Sequence, residues 1–231
     1  MHAVIAQARA QQRIALDEAS GKALLAAYGV AVPQSLIVKG AHDVDAVFNT
    51  LHPPLVVKIM SPDILHKSDV GGVKVGLQSA AEIKAAINTM AASPKIKGAR
   101  IDGYLLEEMA PAGQEMVIGG LRDADFGPML MVGLGGIFVE VLRDVSFRIC
   151  PITRLDAEEM LDDLKSVAIL DGARGRKAVS REAIIEVLLK VGGENGLLMQ
   201  HADDIVEADI NPLIVSAHGA VAVDARFILI P

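Results

Sequence analysis

Three apolar runs between residues 104 and 134 follow one another too closely to leave room for helices between them. The runs are YLLEEM at 104–109, EMVIGGL at 115–121 and PMLMVGL at 128–134, with Gly or Pro in the gaps. Because a parallel crossover needs about a dozen residues or more, these runs predict strands that pair antiparallel. The spacing therefore indicates a strand-rich subdomain from about residue 101 onward.

Before that point, helical and strand-like patterns alternate. Leu24, Leu25 and Tyr28 share one helical face. Gly29 follows as a typical helix stop, and SLIVKG then predicts a strand. The runs PPLVVKIM and GVKVGL predict two further strands, and a helix is predicted to begin after Ser79. Alternating elements of this kind favour an α+β or α/β fold.

Helical patterns return in the last third of the chain, at 156–168 and 180–200, before short strands finish it. The change of pattern predicts two subdomains, at about residues 20–100 and about 101–231. Both would belong to one α+β (α/β) domain that spans residues 1–231.

Composition excludes several classes of partner. A net charge of −7, a pI near 5.4 and only 3% aromatic residues disfavour nucleic-acid binding. The single Cys150 cannot form an intrachain disulfide, which favours a reducing, cytoplasmic location. The longest apolar run, at 129–139, contains three glycines and ends at Glu140, so neither a membrane span nor a signal peptide is expected.

A lysine and a glycine hinge indicate a site for phosphate. Lys58 interrupts the apolar strand LVVKIM, so its ammonium must reach an edge or meet an anion. A lysine that extends to the surface is an equally good interpretation of this residue alone. The loop beyond it adds His66 and Lys67, followed by Gly71 and Gly72. Glycines allow backbone N–H groups to turn around a phosphate, so this region is predicted to bind one.

The segment EADINPLIV predicts an acidic strand face. Glu207, Asp209 and Asn211 occupy alternate positions and so share one face, and Asp224 follows on the next predicted strand, AVAVDARF. Converging oxygen ligands suit Mg²⁺, which takes one or two carboxylates and completes its shell with water and phosphate. The alternative is an acidic strand face that is simply solvated.

The common nucleotide motifs are absent. GLGGIF at 133–138 has Phe138 where a G-x-G-x-x-G fingerprint needs its third glycine, and no G-x-x-x-x-G-K-[ST] or G-x-S-x-G occurs. His66 is either an exposed loop histidine or a nucleophile, since a neutral imidazole can carry a phosphoryl group. If His66 reacts, phosphoryl transfer is the favoured chemistry.

Four stretches resemble a known family, in order and through essentially the whole chain. They are VVKIMSPDILHKSDVGGVKVGL, EEMAPAGQEMVIGGLRDADFGPMLMVGLGG, VSFRICPI, and EADINPLIV with VAVDARF. Together they resemble the ATP-grasp (beta) subunit of ADP-forming acyl-CoA synthetases such as ADP-forming acetate–CoA ligase, which are related to succinyl-CoA synthetase. The resemblance implies an ATP-grasp fold with the nucleotide between two subdomains, and ATP/ADP and Mg²⁺ as cofactors. It also implies a CoA-binding alpha subunit in a heterotetramer, which carries a phosphorylatable histidine and binds most of the CoA and the acyl group.

The resemblance implies a role for each region of the nucleotide site. By this resemblance, the residues that bind phosphate are Lys58, the 63–74 loop and Arg148. The residue that binds the ribose is Glu115. The hinge residues that would face adenine are Glu107, Glu108 and Met109.

The resemblance also implies that Asn211 and Asp224 are Mg²⁺ ligands, with Glu207 and Asp209 beside them. It implies that His66 is a second phosphoryl carrier.

Two other interpretations keep the fold: a regulatory ATP-grasp module of a multi-domain protein acetyltransferase, and a nucleotide-binding structural subunit. Retention of the lysine, the histidine and the predicted metal ligands favours the ligase.

Overall fold

The computed structural model describes residues 2–64, 67–172 and 177–230 of the 231-residue chain. Contacts within the chain divide it into two compact units. The small unit is Pro33–Ala110, and the large unit combines the residues up to Val32 with those from Pro111 onward. Each unit has its own sheet and its own hydrophobic core.

The small unit is a four-stranded antiparallel sheet with helices packed on one face. The elements are β2 (Ser35–Val38), α3 (Val44–Val47), β3 (Leu55–Met60), β4 (Val73–Leu77), α4 (Ala80–Ala92) and β5 (Gly103–Glu108), with 3₁₀ turns at Ala41–Asp43 and Phe48–Thr50. The strand order is β2-β5-β3-β4. Ile83, Ile87 and Met90 line one side of the helix α4 and pack into the core with the sheet, as expected for an apolar stripe of helical period.

The large unit contains a seven-stranded antiparallel sheet. Its strands are β1 (Ala15–Leu16), β6 (Gln114–Asp123), β7 (Gly127–Leu134), β8 (Val145–Ile149), β9 (Ile205–Ser216), β10 (Gly219–Ala222) and β11 (Ala225–Leu229). They are ordered β1-β11-β9-β6-β7-β8, with β10 also paired to β9. Its helices are α1 (Ala3–Ala10), α2 (Glu18–Ala27), α5 (Ile137–Glu140), α6 (Arg154–Asp162), α7 (Arg181–Gly192) and α8 (Leu197–Gln200), with a 3₁₀ turn at Val167–Ile169.

One face of this sheet forms the core of the large unit. Met116, Ile118 and Leu130 are fully buried there, together with Ile184 and Leu188 of α7. The opposite face carries the acidic residues of β9. Within the described ranges, no helix is long and apolar enough to cross a bilayer.

The predicted strands are present, but one of them belongs to a different sheet. β6 and β7 pair antiparallel, as their spacing indicated. β5 instead pairs with β2 and β3, so the boundary between the units follows Ala110 and not residue 100. The first 32 residues join the large unit because β1 pairs with β11 at the other end of the chain.

The helix predicted at 180–200 is two helices, α7 and α8. A Cβ at Gly193 would lie 2.5 Å from the Leu189 carbonyl oxygen, so this tight exit from α7 depends on glycine. The helix predicted at 156–168 also ends early, since α6 stops at Asp162.

Candidate nucleotide and metal site

Lys58 lies in β3 and faces away from the small unit's core. In the register, Lys58 is opposite Leu105 and Val56 is opposite Glu107, so Lys58 and Glu107 are diagonal neighbours on one face of the sheet. The Lys58 Nζ donates to Glu107 Oε1 across 3.0 Å. Lys58 is 6% exposed and Glu107 is fully buried. The lysine therefore meets an anion from the neighbouring strand and does not extend to the surface.

This ion pair is held inside the protein, where removal of one partner costs far more than it would at the surface. An uncompensated buried charge costs about 3–5 kcal/mol. Glu107 was expected to face adenine, yet its carboxylate is bound to Lys58. The structure thus links the predicted phosphate-binding lysine to the hinge strand β5.

The glycine hinge forms a tight turn from Lys67 to Gly72, directly before β4. Gly71 has a φ of +74° and donates its N–H to the Ser68 carbonyl at 3.1 Å. Gly72 donates to the Lys67 carbonyl at 2.7 Å, and a Cβ on it would lie 2.5 Å from Ile59 Cγ2. Both N–H groups are used within the turn, so neither is directed outward as the predicted phosphate donor.

His66, predicted as a phosphoryl carrier, lies outside the described residues.

The end of β5 is hydrogen-bonded to His52, which lies between the 3₁₀ turn Phe48–Thr50 and β3. Glu108 Oε1 accepts from the backbone N–H of His52 at 2.8 Å and lies 2.7 Å from its ring Nδ1. These hydrogen bonds hold the pKa of the Glu108 carboxyl below its usual range. Met109 follows with a 42% exposed side chain, and its N–H donates to the Pro54 carbonyl. Of the hinge residues, Met109 is the one whose side chain is open to a ligand.

The acidic face of the large unit lies on β9, as the sequence predicted. Glu207 and Asp209 alternate with buried Ala208 and Ile210, so the two acids face away from the core. Glu207 lies opposite Leu121, and Asp209 lies opposite Gly119. Since Glu115 is two positions from Val117 and four from Gly119 along β6, it shares this face and is exposed. The structure therefore brings Glu115 onto the same sheet face as the acids.

A bulge in β9 sets the position of Asn211. Ile118 pairs with Ile210 and Met116 with Leu213, so Asn211 and Pro212 together lie opposite one residue of β6. An extra residue of this kind bends a strand and changes the direction of its side chain. Asn211 is exposed at this point.

Asn211 is joined to Asp224 through the backbone. The Asn211 N–H donates to the Asp224 carbonyl at 3.3 Å, and the Val223 N–H donates to the Pro212 carbonyl at 3.0 Å. Asp224 was predicted on a strand, but it lies in the two-residue link between β10 and β11, because β10 ends at Ala222. Its Oδ1 accepts from the Ala225 N–H at 2.8 Å. The two predicted metal ligands are thus held beside each other.

The acids of this face interact electrostatically. Burial, together with the charges of Asp224 and Glu207, raises the pKa of Asp209, while Arg226 opposes the rise. Among the described residues, no three His, Cys, Asp or Glu side chains form a complete cage for a metal. Mg²⁺ does not need one, since it keeps waters and binds substrate phosphates. Asn211 and Asp224 supply an amide oxygen and a carboxylate, which are oxygen donors of the kind that Mg²⁺ binds.

Arg148 is not part of this face. It lies on β8 opposite Leu130, whose side chain is in the core, so it points to the helical side of the sheet. Its guanidinium donates to Asp163 at 2.9 Å and lies 3.6 Å from Glu159. These carboxylates raise the pKa of Arg148. The predicted phosphate contact of Arg148 is therefore replaced by ion pairs with α6 and the residue after it.

His52 is the residue at this site that the sequence did not single out. It is 56 positions from Glu108, and nothing in its neighbourhood along the chain marks it as a partner of the hinge. Only the pairing of β3 with β5 brings the two together.

Comparison with known proteins identifies the family to which this chain belongs. The family model for the ATP-grasp domain matches residues 7–229. The chain is 41% identical over 228 residues to the beta subunit of acetate–CoA ligase [ADP-forming] I from Pyrococcus furiosus, covering 98% of this chain and 96% of that protein. It is 40% identical to acetate–CoA ligase [ADP-forming] I from Archaeoglobus fulgidus, where it covers 91% of this chain but only 30% of the relative.

Solved structures show the same fold. The structure of the dinucleotide forming acetyl-coenzyme A synthetase 1 of Ca. Korarchaeum cryptofilum, in complex with coenzyme A and Ca-AMPCP, matches with a TM-score of 0.91 and 39% identity over 98% of both chains. A second structure of that protein holds coenzyme A and Mg-AMPPCP, with its phosphohistidine segment pointing towards the nucleotide-binding site, and matches with a TM-score of 0.84. The chain therefore belongs to the ATP-grasp family, among the beta subunits of ADP-forming acetate–CoA ligases.

Proposed function

We propose that this chain is the nucleotide- and magnesium-binding beta subunit of an ADP-forming acyl-CoA synthetase. The complete enzyme would interconvert acyl-CoA, ADP and phosphate with the free acid, CoA and ATP. The observation that carries the proposal is the pairing of Asn211 with Asp224 on the acidic face. The Mg-AMPPCP complex of the related Korarchaeum protein supports nucleotide and magnesium binding.

Each residue at the candidate site would have its own part in binding the nucleotide. Lys58 would neutralise phosphate charge, and Glu107 would hold the lysine in place. Met109 would contact the adenine and Glu115 the ribose, while Asn211 and Asp224 would ligate Mg²⁺. When bound, the metal draws charge from the phosphate oxygens, and such positioning and charge neutralisation supply most of the catalysis in phosphoryl transfer.

A histidine would carry the phosphoryl group. A ring nitrogen of His66 would form a bond to the γ-phosphorus of ATP as the bond to ADP breaks, and the group would then pass to the histidine of the partner. The partner would be a CoA-binding alpha subunit in a heterotetramer, which binds CoA and most of the acyl group in the cytoplasm. The phosphohistidine segment of the Korarchaeum protein, which points towards its nucleotide site, supports such a transfer.

The proposal is tested by ATP formation from acetyl-CoA, ADP and phosphate. The wild-type chain, mixed with the CoA-binding subunit of the same organism, should form ATP, and neither subunit alone should do so. Asn211→Ala should reduce the rate at least tenfold at limiting Mg²⁺, while Asn49→Ala, at an exposed position of the small unit, should not. If the wild-type pair forms no ATP from acetyl-CoA or other acyl-CoAs although the chain binds Mg-ATP, the ligase assignment is wrong and the regulatory role is favoured.

A further inference from the structure

An apolar strip crosses the large sheet on the same face as the acids. It consists of Leu121 on β6, Met129 and Met131 on β7, and Phe147 and Ile149 on β8. The register aligns Leu121, Met129 and Ile149 in one row across three strands. Met131 and Phe147 form the next row. The five side chains therefore share one continuous surface, because directly opposite residues have Cβ atoms only about 4.5–5.5 Å apart.

This apolar strip is strongly exposed. Leu121 is 54% exposed, Phe147 53% and Ile149 49%. Single exposed apolar residues are ordinary, but a contiguous apolar surface marks a site where another molecule binds. In the order of the described strands, β8 is the last, so the strip runs to the edge of the sheet.

The strip also continues directly into the acidic face. Leu121 lies opposite Glu207 in the next strand, and Gly119, opposite Met131, lies opposite Asp209 on its other side. Gly119 has no side chain, and the Met131 Cε lies 3.0 Å from the place that a Cβ on Gly119 would occupy. Any segment that lies on the strip is therefore beside Glu207 and Asp209, and the charge of the proposed ligand Asp224 acts on Asp209.

We propose that the apolar strip is the docking surface for the CoA-binding partner chain. This inference rests on the proposed function, which requires that chain. An apolar segment of the partner packs on Phe147 and Ile149. This contact places the histidine of the partner beside Glu207 and Asp209 on the acidic face. Basic residues flank that segment, because the chain carries a net charge of −7 and the strip is bordered by Glu207 and Asp209.

Two observations on related proteins favour this occupant over a second copy of the chain. In the Archaeoglobus ligase the region similar to this chain is only 30% of a longer protein, so a domain of this kind acts together with much more protein of another kind. In the Korarchaeum protein a phosphohistidine segment points towards the nucleotide-binding site, so a segment does reach that region. An acidic chain also gains little from pairing with itself.

The test compares Phe147→Glu and Ile149→Glu with Leu155→Glu. Leu155 lies on α6, is 62% exposed and is not part of the strip, so it controls for the new charge. The affinity of each variant for the purified CoA-binding subunit is measured by calorimetry, and its affinity for Mg-ATP is measured separately. Both strip variants should bind the subunit at least tenfold more weakly than the wild type and bind Mg-ATP normally, while Leu155→Glu should match the wild type in both.

Three results would overturn the inference. The first is a strip variant that binds the CoA-binding subunit as tightly as the wild type, and the second is a wild-type chain that does not bind it at all. The third is a wild-type dimer that Phe147→Glu converts to monomer without loss of subunit binding, since a second copy would then occupy the strip. Failure of the proposed function is distinguished by its own readout, which is the absence of ATP formation from any acyl-CoA by a wild-type pair that binds normally.

Discussion

The Nζ of Lys58 lies 3.0 Å from a carboxylate oxygen of Glu107, in an ion pair almost completely withdrawn from solvent. The two residues come from adjacent strands and are 49 positions apart in the sequence. Their pairing fixes the position of the Lys58 ammonium group on the face of β3. It also gives the hinge strand β5 a role in holding a group that we propose binds phosphate.

Removal of the Glu107 charge should destabilise the small unit. We expect Glu107→Gln to lower the free energy of unfolding by about 3–5 kcal/mol, because Lys58 loses its buried counter-charge. Asp45→Asn is the matched control, since Asp45 pairs with Lys84 at the surface. That pair should contribute no more than about 1 kcal/mol. Urea unfolding measures the change in the free energy of unfolding for both variants. Equal changes would show that the buried pair contributes no more to stability than the surface pair.

Asp224 should set the magnesium requirement for nucleotide binding. Asp224→Asn removes one of the proposed ligand charges but keeps the shape of the side chain. The Mg²⁺ concentration that gives half-maximal ATP binding should rise at least tenfold, and ATP binding without Mg²⁺ should change little. Asp203→Asn is the control, because the Asp203 side chain is 96% exposed. If both variants require the same Mg²⁺ concentration as the wild type, Asp224 is not a ligand.

The turn between β3 and β4 should depend on Gly72 more than on Gly71. Gly72→Ala places a Cβ 2.5 Å from Ile59 Cγ2, so the core of the small unit has to shift. At Gly71 there is open space for a Cβ. Alanine there should lower the stability by only about 1–2 kcal/mol, which is the cost of its left-handed backbone conformation. Thermal unfolding should therefore show the lower melting temperature for Gly72→Ala. The reverse order would contradict the packing described for this turn.

Cys150 should be unreactive in the folded chain. It is 7% exposed, and burial raises its pKa to about 12. In the unfolded chain the thiol ionises near pH 9, so between pH 9 and pH 12 the unfolded state binds fewer protons and stability falls as the pH rises. Cys150→Ala should remove this contribution to the pH dependence of the free energy of unfolding, which amounts to at most about 1.4 kcal/mol per pH unit.

Two measurements check the prediction for Cys150. Iodoacetamide should label the thiol at pH 8.5 only after urea is added. The stability of the wild type and of Cys150→Ala should diverge above pH 9. Rapid labelling of the folded chain would show that the thiol is accessible and that its pKa is not raised.

The local features of this chain could be predicted from its sequence, because they depend on neighbours within a few residues. The period-two pattern placed Glu207 and Asp209 on one face of β9, and helical spacing placed Ile184 and Leu188 in the core. The distant relationships could not be predicted in this way. The partner of Lys58, the link from His52 to Glu108 and the direction of Arg148 all follow from strand register.

The unit boundary was missed for the same physical reason. β5 resembles β6 and β7 in composition and spacing, and the sequence contains no local signal that it pairs with β2 and β3. The assignment of the first 32 residues depends on two residue pairs between β1 and β11, more than 200 positions apart. The Asp224 link was misjudged by only two residues, because the apolar alternation continues past the end of β10.

The central claim is that the chain passes phosphate between ATP and a histidine, and isotope transfer tests it most directly. The chain is incubated with Mg²⁺ and ATP labelled at the γ-phosphate, with and without the CoA-binding subunit, and the labelled peptides are mapped. We predict an acid-labile, alkali-stable label on His66 that is lost in His66→Ala and kept in His218→Ala. Absence of label on His66 in protein that binds Mg-ATP, even with the partner present, would contradict the carrier role.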